Sequence, residues 1–202
     1  MEYLENGNPL SKKRLILAHG AGAPMDSPFM DFFADKLALA GIHVIRFEFP
    51  YMQLRREMGS KRPPNKQADL LECWRHVIAD FAPTSSLYIG GKSMGGRMAS
   101  LIADEKNVAG LVCLGYPFYA IGKSDKPRTE HLEDLKTRTL IVQGTRDTMG
   151  NREAVSGYHL SAAIGLHWLE DGDHSFKPRK ASGRTEEQNW LEGCAAVDAF
   201  IR

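Results

Sequence analysis

Short apolar runs separated by longer amphipathic stretches recur along this chain. Six runs, Arg14–Ala18, His43–Phe47, Ser86–Gly90, Gly110–Leu114, Thr139–Gln143 and Leu166–Leu169, read as strands, and most are apolar at consecutive positions rather than at alternate ones. A strand covered by helices on both sides of a parallel sheet buries both sets of side chains, which gives that pattern. The stretches between the runs read as helices. Ser27 is placed to cap one that runs through Phe29, Phe32, Phe33, Leu37 and Ala40 and stops at Gly41. Others are expected over about Lys66–Asp80, Met94–Asp104, Arg152–Ala163 and Glu186–Ile201, while Pro50–Pro64 and Tyr116–His131 read as irregular excursions. Such alternation implies βαβ units with right-handed crossovers, stacked as a three-layer α/β/α sandwich. Ligands of such a sheet gather beyond the carboxyl ends of its strands, so chemistry is sought just after each strand.

Composition narrows the function classes. The 202 residues suit one domain spanning the whole chain, 1–202. Lys and Arg number 26 against 25 Asp and Glu, so no global field draws the chain to nucleic acid or to a membrane surface, and neither is expected as a partner. Cys73, Cys113 and Cys194 are far apart and show no CxxC spacing, which fits buried free thiols in a reducing compartment. The start, Met1–Gly7, carries acids and no apolar segment of the kind a signal peptide needs. No apolar run approaches the length of a membrane span, and a cytoplasmic location is expected. Nothing has metal-ligand spacing, and no cofactor is expected.

The strongest chemical signal is Gly91-Lys92-Ser93-Met94-Gly95, between a strand and a helix. This is a G-x-S-x-G elbow in the strand–turn–helix setting it requires, and it presents Ser93 as a nucleophile. A phosphate-cradling loop does not fit, because the lysine precedes the serine in the wrong spacing. A serine hydroxyl needs a base, and sites built on such an elbow take their partners in the order Ser, acid, His. Of seven histidines only His174 lies in a loop after the last strand, within Glu170–Phe176. Asp147 follows the strand Thr139–Gln143 through Gly144-Thr145-Arg146, where the acid is expected; Asp171 and Asp173 are rivals too close in sequence to His174. His19-Gly20-Ala21-Gly22-Ala23 follows the first strand and is small enough for close backbone approach. It nominates the N–H groups of Ala21 and Met94 as an oxyanion hole, with His19 orienting the loop.

With these residues in place the chain resembles a family. It resembles the small bacterial α/β-hydrolases related to dienelactone hydrolase. More closely, it resembles the α/β-hydrolase-like group that in animals includes a testis-expressed protein and a subunit of a histone-acetyltransferase complex. The likeness runs over nearly the whole chain. It rests on Leu17–Gly22, Arg46–Tyr51, Gly90–Arg97, Arg128–Leu132, Gln143–Asp147 and Gly172–Pro178. It implies the same triad, Ser93, Asp147 and His174. Dienelactone hydrolases proper use a cysteine nucleophile; this chain has serine there, so the lactone substrate is not carried over. The resemblance also implies a reduced α/β-hydrolase fold: a mostly parallel six-stranded sheet in chain order 2-1-3-4-5-6, at most a weak extra strand before Arg14, and no large cap.

The function expected is acyl transfer on a small ester or thioester; the alternative is a binding or scaffold protein on the same fold. Tyr51 and Tyr116, with Met52, Phe118 and Tyr119, are candidates to line an acyl pocket, or else pack loops onto the sheet. Arg55, Arg56, Lys61 and Arg62 in one excursion, and Lys177, Arg179 and Lys180 after His174, either rim the cleft for an anionic substrate group or are solvated loop charges. Either Arg97, one turn beyond Ser93, or Glu48, at the end of a strand, is a candidate to anchor a buried ion pair supporting the elbow.

Overall fold

The computed structural model describes residues 1–83 and 86–201. Its centre is a seven-stranded sheet of β1 (Tyr3–Asn6), β2 (Arg14–Ala18), β3 (His43–Phe47), β4 (Leu87–Lys92), β5 (Gly110–Leu114), β6 (Thr139–Gly144) and β7 (Ile164–Leu169). The order across the sheet is β1-β3-β2-β4-β5-β6-β7, with every neighbouring pair parallel except β1 on β3. Without β1 this is the expected six-stranded order. The seventh strand is an antiparallel edge: Tyr3 to Asn6 pair with Phe47 to Val44, and Asn6 is further tied down by Arg46, whose Nη2 donates to its Oδ1 at 3.0 Å.

Alternation along the strands sorts the core into two layers. Ile16, Ala18, Ile45, Ile89, Leu111 and Ile141 point to one face and pack with Leu70, Trp74 and Val77 of α3 (Gln67–Asp80) and Met98 of α4 (Met94–Ser100). Leu15, Leu17, Val44, Val112, Leu114 and Val142 point to the other. They meet Phe33 and Leu37 of α1 (Pro28–Leu39) and Cys194 and Val197 of α8 (Glu186–Phe200). Both faces are covered, which is why the strands read as unbroken apolar runs. Cys73, Cys113 and Cys194 are buried free thiols. No helix among the described residues is long and apolar enough to cross a membrane.

Four elements depart from the sequence reading. Pro50–Met58 is a helix, α2, not an excursion: Pro50 stands at its first turn, where a missing N–H is harmless, and Gly59 ends it at φ +62°. Only Tyr51 and Met52 of its nine residues are buried, although Tyr51, Leu54 and Met58 recur at helical spacing. The helix after the elbow breaks at Leu101–Ile102 into α4 and α5 (Ala103–Lys106), and α6 (Glu130–Glu133) forms at the end of the second excursion. The helix expected over Arg152–Ala163 stops at Ser156 (α7), with Gly157 as its cap.

Candidate active site

Ser93, Asp147 and His174 leave the sheet after β4, β6 and β7, all at the carboxyl edge. Ser93 has φ 51° and ψ −115°, a left-handed conformation that a serine keeps only when its surroundings impose it. The imposing contacts are backbone ones. A Cβ on Gly91 would lie 2.4 Å from the Ala18 carbonyl oxygen, and one on Gly95 would lie 2.5 Å from that same oxygen, so the turn and the end of β2 meet with no room for side chains. The Ser93 N–H donates to the Leu114 carbonyl at 3.0 Å and fastens the elbow to β5.

Ser93 Oγ lies 2.8 Å from His174 Nε2, and His174 Nδ1 lies 2.7 Å from Asp147 Oδ2. Asp147 is fully buried and also accepts the Met149 N–H at 2.8 Å and Gln143 Nε2–H at 2.9 Å, two groups that can only donate. That set of donors makes the carboxyl an acceptor toward His174 as well. The imidazole proton therefore sits on Nδ1, and the Nε2 lone pair faces the serine hydroxyl. Asp171 and Asp173 are engaged elsewhere. Asp171 binds Arg179 and Arg146, and the Arg179 guanidinium holds its carboxyl down at about 2. Asp173 takes the N–H groups of Ser175 and Lys177 at 2.8 and 3.0 Å and shapes the turn that carries His174.

The loop after β2 is held by His19. Its Nε2 accepts the Phe49 N–H at 3.1 Å, so Nδ1 carries the proton and donates to the Gly20 carbonyl at 2.7 Å. Burial lowers its pKa and keeps the ring neutral. The Gly20 carbonyl and the Ala21 N–H share one trans peptide and point in opposite directions, so the bond to His19 also aims the Ala21 N–H. Ala21 and Met94 border the same groove as Ser93, and Met94 opens α4, where N–H groups lack helical partners. The groove encloses about 300 Å³, at the small end of ligand sites.

Two residues that the sequence reading did not single out support this arrangement. Lys92, the residue before Ser93, is buried; its Nζ donates to the His174 carbonyl at 2.6 Å and lies 5.4 and 5.7 Å from the Phe29 and Phe176 ring centroids. Burial pulls its pKa down to about 8, opposed by the charges of Asp147 and Asp173. Gln143, at the end of β6, is fully buried; it accepts the Tyr116 N–H at 2.7 Å while bonding Asp147 and the Gly150 carbonyl. For Gln143 the signal was a polar residue inside a run buried on both faces; Lys92, at the end of its strand, gave none.

The expected substrate-binding side chains are placed otherwise, and none of the four lines the groove at Ser93. Tyr51 is buried with its hydroxyl donating to the Ala21 carbonyl at 3.1 Å, and Tyr116 is buried with its hydroxyl donating to the Arg128 carbonyl at 3.2 Å. Arg56 is clamped on buried Glu48 and on Asp26, beside a different depression, and Lys177 is exposed. Arg55 is spent on the Arg62 and Ala21 carbonyls. Of the charges in these basic loops, Arg56 and Arg179 hold carboxylates within the fold. Of the two candidates, Glu48 anchors an ion pair with Arg56, while Arg97 holds no carboxylate among the described residues. Among the described residues no group of three or more His, Cys, Asp or Glu is placed to hold a metal ion.

A family model described as an alpha/beta hydrolase domain matches residues 11–202. Solved structures share the fold at low identity. An alpha-beta serine hydrolase homologue from Coxiella burnetii superposes with a TM-score of 0.69 at 16% identity, over 99% of this chain and 90% of that one. A serine hydrolase without lid from Xanthomonas campestris gives 0.66 at 20% identity, over 98% and 88%. Est1E from Butyrivibrio proteoclasticus gives 0.65 at 16% identity, over 96% and 94%.

Proposed function

Because the chain belongs to this alpha/beta hydrolase family, we propose that it is a serine hydrolase working by acyl transfer on a small ester or thioester. The observation that carries this reading is the continuous line Ser93 Oγ, His174 Nε2, His174 Nδ1, Asp147 Oδ2, with 2.8 and 2.7 Å steps, ending on a buried carboxyl. His174 Nε2 takes the hydroxyl proton as Ser93 Oγ bonds to the substrate carbonyl carbon. Asp147 holds the ring in the required tautomer and stabilises the imidazolium. The N–H groups of Ala21 and Met94 receive the oxyanion. His174 then gives its proton to the departing alkoxide or thiolate, leaving an acyl-serine. A water, deprotonated by the same nitrogen, displaces the acyl group as a carboxylic acid and restores Ser93. Esters and thioesters suit this site better than amides because their leaving groups need less assistance. The motif blocks shared with the group of the testis-expressed protein and the histone-acetyltransferase-complex subunit support placing the chain nearest that group.

A fluorophosphonate probe tests the reading without knowledge of the substrate. The folded wild type is expected to label at Ser93, and labelling is expected to vanish in Ser93→Ala and His174→Ala. A folded wild type that does not label would overturn the proposal in favour of a binding protein. Labelling that survives Ser93→Ala would assign the nucleophile elsewhere.

A further inference from the structure

Two arginines stand in the Ser93 groove without a carboxylate. Arg97 follows Ser93 by one helical turn on α4, and Arg128 reaches the same groove from the segment before α6. Both are half-buried. Arg97 Nη2 donates to Gln67 Oε1 at 3.3 Å, and its Nε is buried with no partner. Neither guanidinium is within salt-bridge distance of an acid among the described residues, although Glu130 and Asp134 border the outer side of the pair. By contrast Arg46, Arg56, Arg75, Arg179 and Arg184 each hold a carboxylate. His131, beside them, is held neutral by burial and by the charge of Arg97, its pKa lowered to about 4, so it adds no charge. Arg97 in turn has its pKa lowered by burial and by the charge of Arg128.

A guanidinium cannot escape such a setting by losing its proton. Two of them converging on a half-buried groove leave it positive and furnish planar N–H donors that match a carboxylate or a phosphate. The four residues from Ser93 to Arg97 rise roughly 6 Å along the helix, a separation of a few covalent bonds. We propose that Arg97 and Arg128 form an anion subsite, so that the preferred ester or thioester carries a carboxylate or phosphate a few bonds from the carbonyl that Ser93 attacks. This rests on the hydrolase reading for its chemistry but not for its binding.

The test compares p-nitrophenyl hemisuccinate with p-nitrophenyl butyrate on wild type, Arg97→Gln and Arg128→Gln, with folding checked by melting temperature. The wild type is expected to prefer the half-ester in kcat/KM, mostly through KM. That preference should fall at least tenfold in each variant and weaken with added salt in the wild type alone. Calorimetric titration with succinate and with inorganic phosphate runs alongside and needs no turnover. Binding of either anion that is lost in both variants supports the subsite, and the tighter of the two identifies the group. If neither ester turns over and the fluorophosphonate does not label, the hydrolase reading fails while the titrations still decide the subsite. An unchanged ester preference with folded variants, or anion binding equal in all three proteins, would overturn it.

Discussion

At Lys92 a single side chain links the strand that delivers the serine to the loop that delivers the histidine, through a 2.6 Å bond to the His174 carbonyl. An amine donates that bond whether or not it is charged, so the link survives titration while the electrostatics change. In the folded protein the proton leaves near pH 8 rather than near 10.5. Between those values the unfolded chain binds more protons, so this group alone makes stability rise with pH across that window. The rise is at most about 3 kcal/mol. The buried thiols of Cys73 and Cys194, pushed up to about 12, act in the opposite direction at the alkaline end. The comparison is therefore wild type against Lys92→Met: the difference in urea-unfolding free energy should grow in favour of the wild type from pH 8 to 10.5. A constant difference would remove the buried charge from the account. The same variant frees the His174 backbone and should lower kcat more than it changes KM. Lys92 stands inside the elbow motif yet signalled nothing by itself, since lysines on strand ends usually face water. What marks it is its neighbourhood, Phe29 from α1 and Phe176 from beyond β7, which no local reading of the sequence assembles.

Among the elements, α2 shows how a polar helix earns its place. Its Arg56 reaches back to Glu48, the residue after β3, whose side chain is 2% exposed and also accepts the Met25 N–H at 3.2 Å. One carboxylate thus ties the helix, the strand end and the loop before α1 together. Replacing Arg56, itself 43% exposed, by Ala leaves that buried carboxylate with the Met25 N–H as its remaining partner and should destabilise the protein by about 2 kcal/mol in denaturant titrations. Glu48→Gln combined with it should recover part of the loss. The six parallel strands were legible because burial on both faces writes a continuous apolar run. β1 was legible only as a weak extra strand before Arg14, because its residues are half-exposed and its place is set by pairing with Phe47 to Val44 and by Arg46. α2 was missed for a different reason. Its apolar residues do recur at helical spacing, but the run is short, mostly polar and opens on Pro50, which reads as a break. The positions of Ser93, Asp147 and His174 could be read because each lies within a few residues of the carboxyl end of a strand. The groove they face could not, since Ala21, Arg97, Arg128 and Met149 come from four separate connections.

Across the whole molecule the His174 loop depends on the last helix. Asn189 of α8, fully buried, donates to the Phe176 carbonyl at 2.7 Å and the Glu170 carbonyl at 3.2 Å, and Trp190 Nε1–H donates to the Ser175 carbonyl at 2.9 Å. The same helix covers one face of the sheet beside α1 through Cys194 and Val197. A chain ending at Gly183 keeps all three triad candidates in its sequence, yet it should not label with a fluorophosphonate. Asn189→Leu should reduce labelling in a protein that still folds; undiminished labelling of the shortened chain would show that the loop holds its shape unaided. Ser93 and His174 are separated by 81 positions. During synthesis the serine therefore leaves the ribosome roughly ten seconds before its base. The helix that seats the His174 loop follows later still, so on the proposed reading a nascent chain should stay inert toward acyl groups until α8 has emerged.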